Sequence, residues 1–226
     1  MTDFRNMMEA ALLPGDVSPL LASLECKPPV SIRQHARKAP GELFPGSDPV
    51  PWCPMGRYLE ERPAFTLDPR FHAGAYYVQE ASGMSLWQLA PYLSAITSPR
   101  VLDACAAPGG KSTLLLDILP QNGLLVSNEV IRSRVPILAE NLARWGYGNV
   151  VVTQNNPADL GRLTGYFDVV VADVPCSGEG LFRKDPESRK IWSPALVALC
   201  VSRQRRILSD LWPCLRQGGL LVYSTC

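Results

Sequence analysis

Beyond residue 98 the chain alternates. Short apolar, β-rich runs at residues 100–104, 124–128, 149–153, 167–172 and 220–224 are separated by longer helical patterns at about 111–119, 131–145 and 194–215. This alternation is the signature of successive βαβ units, with parallel strands and helices on both faces of the sheet. It predicts an α/β domain over residues 99–226, a Rossmann-like doubly wound parallel sheet that takes its ligands at the carboxyl ends of the strands. Before residue 98 the pattern is broken by prolines at 28, 29, 40, 45, 49, 51, 54, 63 and 69. An opening helix over 3–11 and a short strand at 30–33 remain legible there, so residues 1–98 read as a small N-terminal α+β module.

Composition narrows the class. The 226 residues are 46% hydrophobic and 19% charged, the balance of a globular protein, and no run approaches the ~20 apolar residues of a bilayer span. The first ten residues carry acids and no long apolar stretch. A cytoplasmic, monomeric protein without membrane contact is expected. Cysteines at 26, 53, 105, 176, 200, 214 and 226 form no CxxC pair and are joined by only two histidines, which predicts reduced thiols and no metal. Residues 1–98 hold 8 Lys and Arg against 10 Asp and Glu, and the remainder 14 against 11. Local clusters say more: Arg33, His35, Arg37 and Lys38; Arg183, Lys184, Arg189 and Lys190; Arg203, Arg205 and Arg206. Such clusters can follow a phosphate backbone or form a solvated face.

The first strand-to-helix turn reads Cys105, Ala106, Ala107, Pro108, Gly109, Gly110, Lys111. Small residues and paired glycines let the backbone approach a ligand, and the helix that follows offers free N–H groups. Gly110-Lys111-Ser112 also resembles the end of a phosphate-binding loop, although Cys105 stands where that pattern has its first glycine. With Asp173 at the end of a hydrophobic strand, a phosphate-loop nucleotide-binding enzyme therefore stays open. Glu129, at the end of the second strand, favours an adenosyl ligand, because an acid there can bind two ribose hydroxyls.

Two further strand ends carry cysteines: Asp173-Val174-Pro175-Cys176-Ser177-Gly178-Glu179-Gly180, and Ser224-Thr225-Cys226. Both thiols are expected to face one crevice. These segments, the 105–111 turn, Leu181-Phe182-Arg183-Lys184-Asp185 and the stretch at 71–82 closely resemble the Nol1/Nop2/Sun family of RNA cytosine-5 methyltransferases, in its bacterial ribosomal RNA branch. The resemblance covers about residue 28 to the end.

The resemblance implies an S-adenosylmethionine cofactor and an RNA partner, ribosomal RNA in this branch. It implies that Cys226 is the thiolate that adds to cytosine carbon 6 and that Cys176 assists release. Carbon 5 is otherwise too poor a nucleophile to take a methyl group from a sulfonium, so covalent catalysis is needed. A nearby cation should favour the thiolate, and Lys111 is the expected source. Asp173 would hold the base. Cys105, Ala106, Ala107, Pro108, Gly109, Gly110, Lys111, Glu129, Asn156 and Asp173 would line the cofactor site, with Asn156 standing where related sequences carry aspartate. Arg33, Arg37, Lys38, Arg183 and Lys184 are candidates for RNA contacts, and Tyr76 or Tyr77 for stacking a base. The base must be unpaired or flipped to be reached. The family fold continues with two more strands, so a chain ending at Cys226 is expected to leave its fifth strand at an uncovered edge and to be impaired in catalysis. A non-catalytic RNA-binding protein with the same fold is the third alternative.

Overall fold

The computed structural model describes residues 2–13, 15–39, 41–185 and 187–225, so Cys226 lies outside the described residues. In chain order, helices α1 (Thr2–Ala11) and α2 (Val17–Leu24) precede strands β1 (Val30–Gln34), β2 (Asp48–Val50) and β3 (Cys53–Leu59). A short helix α3 (Pro69–His72), strand β4 (Tyr76–Val78), a 3-10 stretch (Ser82–Leu89) and helix α4 (Ala90–Ser94) follow. Then come β5 (Arg100–Asp103), α5 (Gly110–Ile118), β6 (Leu124–Asn128), α6 (Val135–Trp145), β7 (Val150–Thr153), α7 (Pro157–Gly161) and β8 (Phe167–Asp173). Helices α8 (Ser188–Ile191) and α9 (Pro194–Leu211) lead to β9 (Leu215–Ser224). No helix among the described residues is long and apolar enough to cross a membrane.

The chain divides into two compact units that cut it differently from the change of pattern at residue 98. The larger comprises residues 29–173 and 210–223; the smaller draws on 1–28, 174–209 and 224–226.

The larger unit holds both sheets. The five-stranded sheet has the order β7-β6-β5-β8-β9, and the β5/β6, β6/β7 and β5/β8 pairs are parallel. Val101, Leu102, Leu125, Val169, Val170 and Val171 are fully buried, as expected of central strands covered on both faces, where β-branched residues fit the pleat. One side of the sheet is covered by Leu114, Leu115 and Leu116 of α5 with Leu138, Leu142 and Trp145 of α6. Helix α6 has a proline in its first turn and ends at Gly146, whose φ of 87° permits the N–H to close on the Leu142 carbonyl. The chain runs from β5 outward to β7 and returns to β8 on the other side of β5. The β5/β8 boundary is therefore the topological switch point, where such folds place their ligand crevice.

The second sheet is antiparallel, in the order β2-β3-β1-β4. Its own core is Ile32, Phe65 and Tyr76, packed by Phe44, Leu59 and Phe71. Of these strands only β1 is legible in the sequence. Two helices are shorter than the pattern predicts: α6 begins at Val135, after a 3-10 turn at Arg132–Arg134, and the stretch 194–215 stops being α-helical at Leu211, because Pro213 cannot continue it, so that Trp212–Cys214 forms a 3-10 turn into β9.

In the smaller unit, Phe4 of α1 packs edge-on against Phe182 (5.1 Å) and Trp192 (5.4 Å). Arg189 donates to Glu25 and to the Leu24 carbonyl, and Arg183 donates to the Lys27 carbonyl. The two N-terminal helices thus belong with the segment after β8 and not with the antiparallel sheet.

Candidate functional site

In the larger unit the turn from β5 into α5 is held from every side. Gly109 caps α5 at φ 110°, a left-handed conformation that strains any other residue. The Ala106 N–H donates to the Asn128 carbonyl (2.9 Å). The Ala107 carbonyl accepts from Arg134 (2.6 Å), and the Pro108 carbonyl accepts from Asn141 (2.8 Å) and Tyr77 (3.3 Å). Beneath it, Asp103 is fully buried; its carboxylate accepts from the Ser112 hydroxyl (2.6 Å), which accepts from Ser127 (3.0 Å). Burial pushes the Asp103 carboxyl up to about 6, against the Ser112 hydrogen bond. Asn128 ties three strand ends together, donating to the Ala104 and Asn155 carbonyls and accepting from Thr153 and the Asn155 N–H. Such preorganised backbone is what a ligand approaching the turn requires.

Glu129 follows directly on β6 and is buried. Its Oε1 accepts from the Ile131 N–H (2.8 Å); its Oε2 is buried, makes no hydrogen bond, and faces the Arg134 guanidinium at 3.4 Å. A buried carboxylate oxygen without a hydrogen-bond donor is costly unless something supplies one. A ribose diol fits that demand. Lys111, at the start of α5, donates to Asp173 at the end of β8 (2.7 Å), joining the two strand ends that flank the switch point. Cys105 lies in the turn with its thiol pushed up to about 12 by burial and by Asp103, Glu129 and Asp173. A thiol held that high stays protonated at neutral pH. Asn156 caps α7 without a side-chain hydrogen bond and is exposed.

The Ser112 hydroxyl, which a phosphate loop would give to magnesium, is turned into the sheet toward Asp103, and Lys111 reaches Asp173. The phosphate-loop reading therefore loses its chemistry. Arg33 was expected on an RNA-facing surface, yet its side chain is wholly buried. It pairs with Asp117, donates to Gln79, Thr113 and the Gly110 carbonyl, and lies 4.7 Å over the Trp145 ring. It braces the turn from behind, where no phosphate reaches. Tyr76 is likewise buried, donating to Asp68 (3.0 Å), and Tyr77 holds Pro108; neither is placed to stack a base. Arg37 and Lys38 do stay exposed, Arg37 over the Tyr147 ring (4.4 Å) and Lys38 on the Ala73 and Arg144 carbonyls.

The smaller unit carries the Pro-Cys and Thr-Cys segments. The Val174 N–H donates to the Ser224 carbonyl (3.0 Å), setting 174–176 beside 224–225. The Gln204 side chain of α9 donates to the Pro175 carbonyl (2.8 Å) and to the Thr225 hydroxyl (3.0 Å). Cys176 is half-buried. Ser177 donates to Glu179, which also accepts from the Trp192 indole (2.8 Å), so the loop after Cys176 is folded on itself. Arg183 is half-buried on Lys27, and Lys184 is exposed. The sequence does not mark Asn128, Gln204 or the role of Arg33. An amide in a helical or strand pattern reads as surface, and nothing local reveals burial.

Residues 90–226 match the family described as 16S rRNA methyltransferase RsmB/F, and residues 2–81 match the N-terminal domain of 16S rRNA methyltransferase RsmF. The chain is 38% identical over 183 residues, 79% of its length, to a ribosomal RNA small subunit methyltransferase F of Serratia proteamaculans, and 39% identical over the same share to that of Cronobacter sakazakii. It spans 38% of the length of each of these relatives. Among solved structures, a methyltransferase homolog protein from Pyrococcus horikoshii superposes with a TM-score of 0.75 at 28% identity, over 95% of this chain and 70% of that one.

Proposed function

This chain belongs to the RsmB/F family of 16S rRNA methyltransferases, and from that premise we propose that it methylates carbon 5 of a cytosine in RNA, with S-adenosylmethionine as methyl donor and Cys226 as covalent nucleophile. Ribosomal RNA is the substrate class, in keeping with the relatives it matches. The observation that carries the reading is the Val174–Ser224 hydrogen bond, which aligns the residues leading into the two cysteines.

The cofactor supplies an electrophilic methyl group on a sulfonium. The chain's own residues fit it: the 105–111 turn gives small, rigid backbone, and Glu129 offers its second oxygen to the ribose hydroxyls. Asn156, exposed at the head of α7, offers an amide oxygen to the adenine amino group in place of a carboxylate.

The Cys226 thiolate forms a bond to cytosine carbon 6, and the displaced ring pair makes carbon 5 nucleophilic. After carbon 5 takes the methyl group it still carries its proton. A base, water in the simplest case, takes that proton to solvent as the carbon–sulfur bond breaks, which restores the ring double bond and expels the Cys226 thiolate, so the enzyme is regenerated unchanged. Cys176 assists this release. Asp173 accepts from the cytosine amino group and so orients the ring edge, and Lys111, 2.7 Å from Asp173, supplies the positive charge that offsets the negative charge built during addition. The exposed Arg37, Lys38 and Lys184 contact the RNA backbone.

Incubation with methyl-labelled cofactor and unmodified ribosomal RNA should place label at carbon 5 of one cytosine. Cys226→Ala should abolish transfer and leave cofactor affinity intact. Label at another base, or transfer that survives Cys226→Ala, contradicts the reading.

A further inference from the structure

Helix α9 turns Cys200, Gln204 and Ile207 inward, one residue per turn of a buried stripe. In the middle of that stripe an aliphatic side chain would pack as well. Gln204 is an amide only 9% exposed, and a buried amide must find hydrogen-bond partners or weaken the fold. Both partners named above sit at chemically telling places. The Pro175 carbonyl belongs to the peptide that leads into Cys176, and Thr225 is joined directly to Cys226. Proline has no N–H to give to a neighbouring strand, so at Pro175 the segment has one backbone tie fewer. The Gln204 amide supplies a tie from outside, bridging the two segments one residue beyond the Val174–Ser224 hydrogen bond.

We propose that Gln204 is a positioning residue for methyl transfer, whose amide holds the two thiol-bearing segments in one register. This rests on the reading of Cys226 and Cys176 as the thiols of addition and release. Both must reach the same pyrimidine ring on successive steps, and displacements of the order of 1 Å in reacting groups cost about a hundredfold in rate. Gln204 touches no reacting atom. It acts through the backbone on one side and a hydroxyl on the other.

The 226-residue chain, with exposed Cys26 changed to Ser, is treated with dibromobimane, which bridges only thiols a few ångströms apart; the bridged peptides are identified by mass spectrometry. No RNA or cofactor is needed. In Gln204→Met, which keeps the volume and removes the donor, bridging of Cys176 to Cys226 should slow by roughly tenfold or more, as loss of two neutral hydrogen bonds implies. kcat for methyl transfer should fall in parallel, with the cofactor Kd little changed. Thr225→Val should match Gln204→Met, Thr225→Ser should retain bridging, and the double variant Gln204→Met/Thr225→Val should be no slower than either single one. Unchanged bridging in both Gln204→Met and Thr225→Val overturns the proposal, as does a wild-type chain whose two thiols do not bridge. Should Gln204→Met fail to fold, Thr225→Val and Thr225→Ser decide alone. Rapid bridging that depends on Gln204 in a chain that labels no RNA would uphold the thiol geometry and defeat the methyl-transfer reading instead.

Discussion

Glu129 gives one carboxylate oxygen to the chain and keeps the other buried without a donor. Its position after the second strand was enough to mark it in the sequence, because an acid there has a recurring use. Removing it should therefore cost ligand binding and little else: Glu129→Ala should weaken S-adenosylmethionine binding roughly ten- to a hundredfold in titration calorimetry, the worth of one or two hydrogen bonds to a charged acceptor. An unchanged Kd would separate Glu129 from the cofactor. Arg33 teaches the reverse. It lies in a run of basic residues that reads as a surface, and only Asp117, far along the chain and on another element, makes it a core residue. In the same run, His35 is held neutral. Its Nδ1 accepts from the N–H groups of Arg37 (2.9 Å) and Lys38 (3.2 Å), leaving Nε2 to donate to the Trp145 carbonyl (2.9 Å). Burial foremost, with Lys38, Arg33 and Arg37, pushes its pKa down from 6.5 to about 4. A lowered folded pKa means that the imidazole stabilises the fold fully above 6.5 and loses that contribution as pH falls toward 4. Asp103 and Asp117, both raised to about 6 by burial, act in the opposite sense over the same range. Comparison with His35→Gln isolates the histidine: the wild-type advantage in Tm at about pH 7.5 should shrink at about pH 4.5. An equal advantage at both would contradict a neutral His35.

At the scale of elements, the strands and helices of the parallel sheet were legible because buried central strands read as unbroken valine and leucine runs and the helices between them keep their period. The antiparallel strands β2 to β4 were not: β2 and β4 have three residues each, and β2 and β3 are interrupted by Pro49, Pro54 and Gly56, so that pairing and not propensity defines them. Beside the apolar core that runs through both sheets, a side-chain bridge ties β1 to α5: Arg33 pairs with Asp117, and the Trp145 indole and Tyr147 hydroxyl also donate to Asp117. Breaking one partner of a buried pair leaves the other charge stranded. Asp117→Ala should lose about 3–5 kcal/mol in urea unfolding. A loss under about 1 kcal/mol, the range of exposed ion pairs, would show that the bridge does not join the elements.

Across the whole chain, the 105–111 turn, Glu129 and Asp173 fall in one compact unit and the segments around Cys176 and Thr225 in the other. The boundary between them crosses the peptide from Asp173 to Val174, within the motif that the sequence offers as one piece. That two strand ends each lead into a cysteine is visible in the sequence as a spacing of motifs. The amide of Gln204 that links their neighbours was not, since a glutamine on a helix carries no local mark of burial. The central claim is that these thiols act in turn on one cytosine, the first adding and the second releasing. Cys176→Ala incubated with S-adenosylmethionine and ribosomal RNA tests it most directly, read as a protein–RNA band that survives denaturation. The band should accumulate in Cys176→Ala and disappear in Cys176→Ala/Cys226→Ala; no band in the single variant, or a band that persists in the double one, would rule out sequential action of the two thiols.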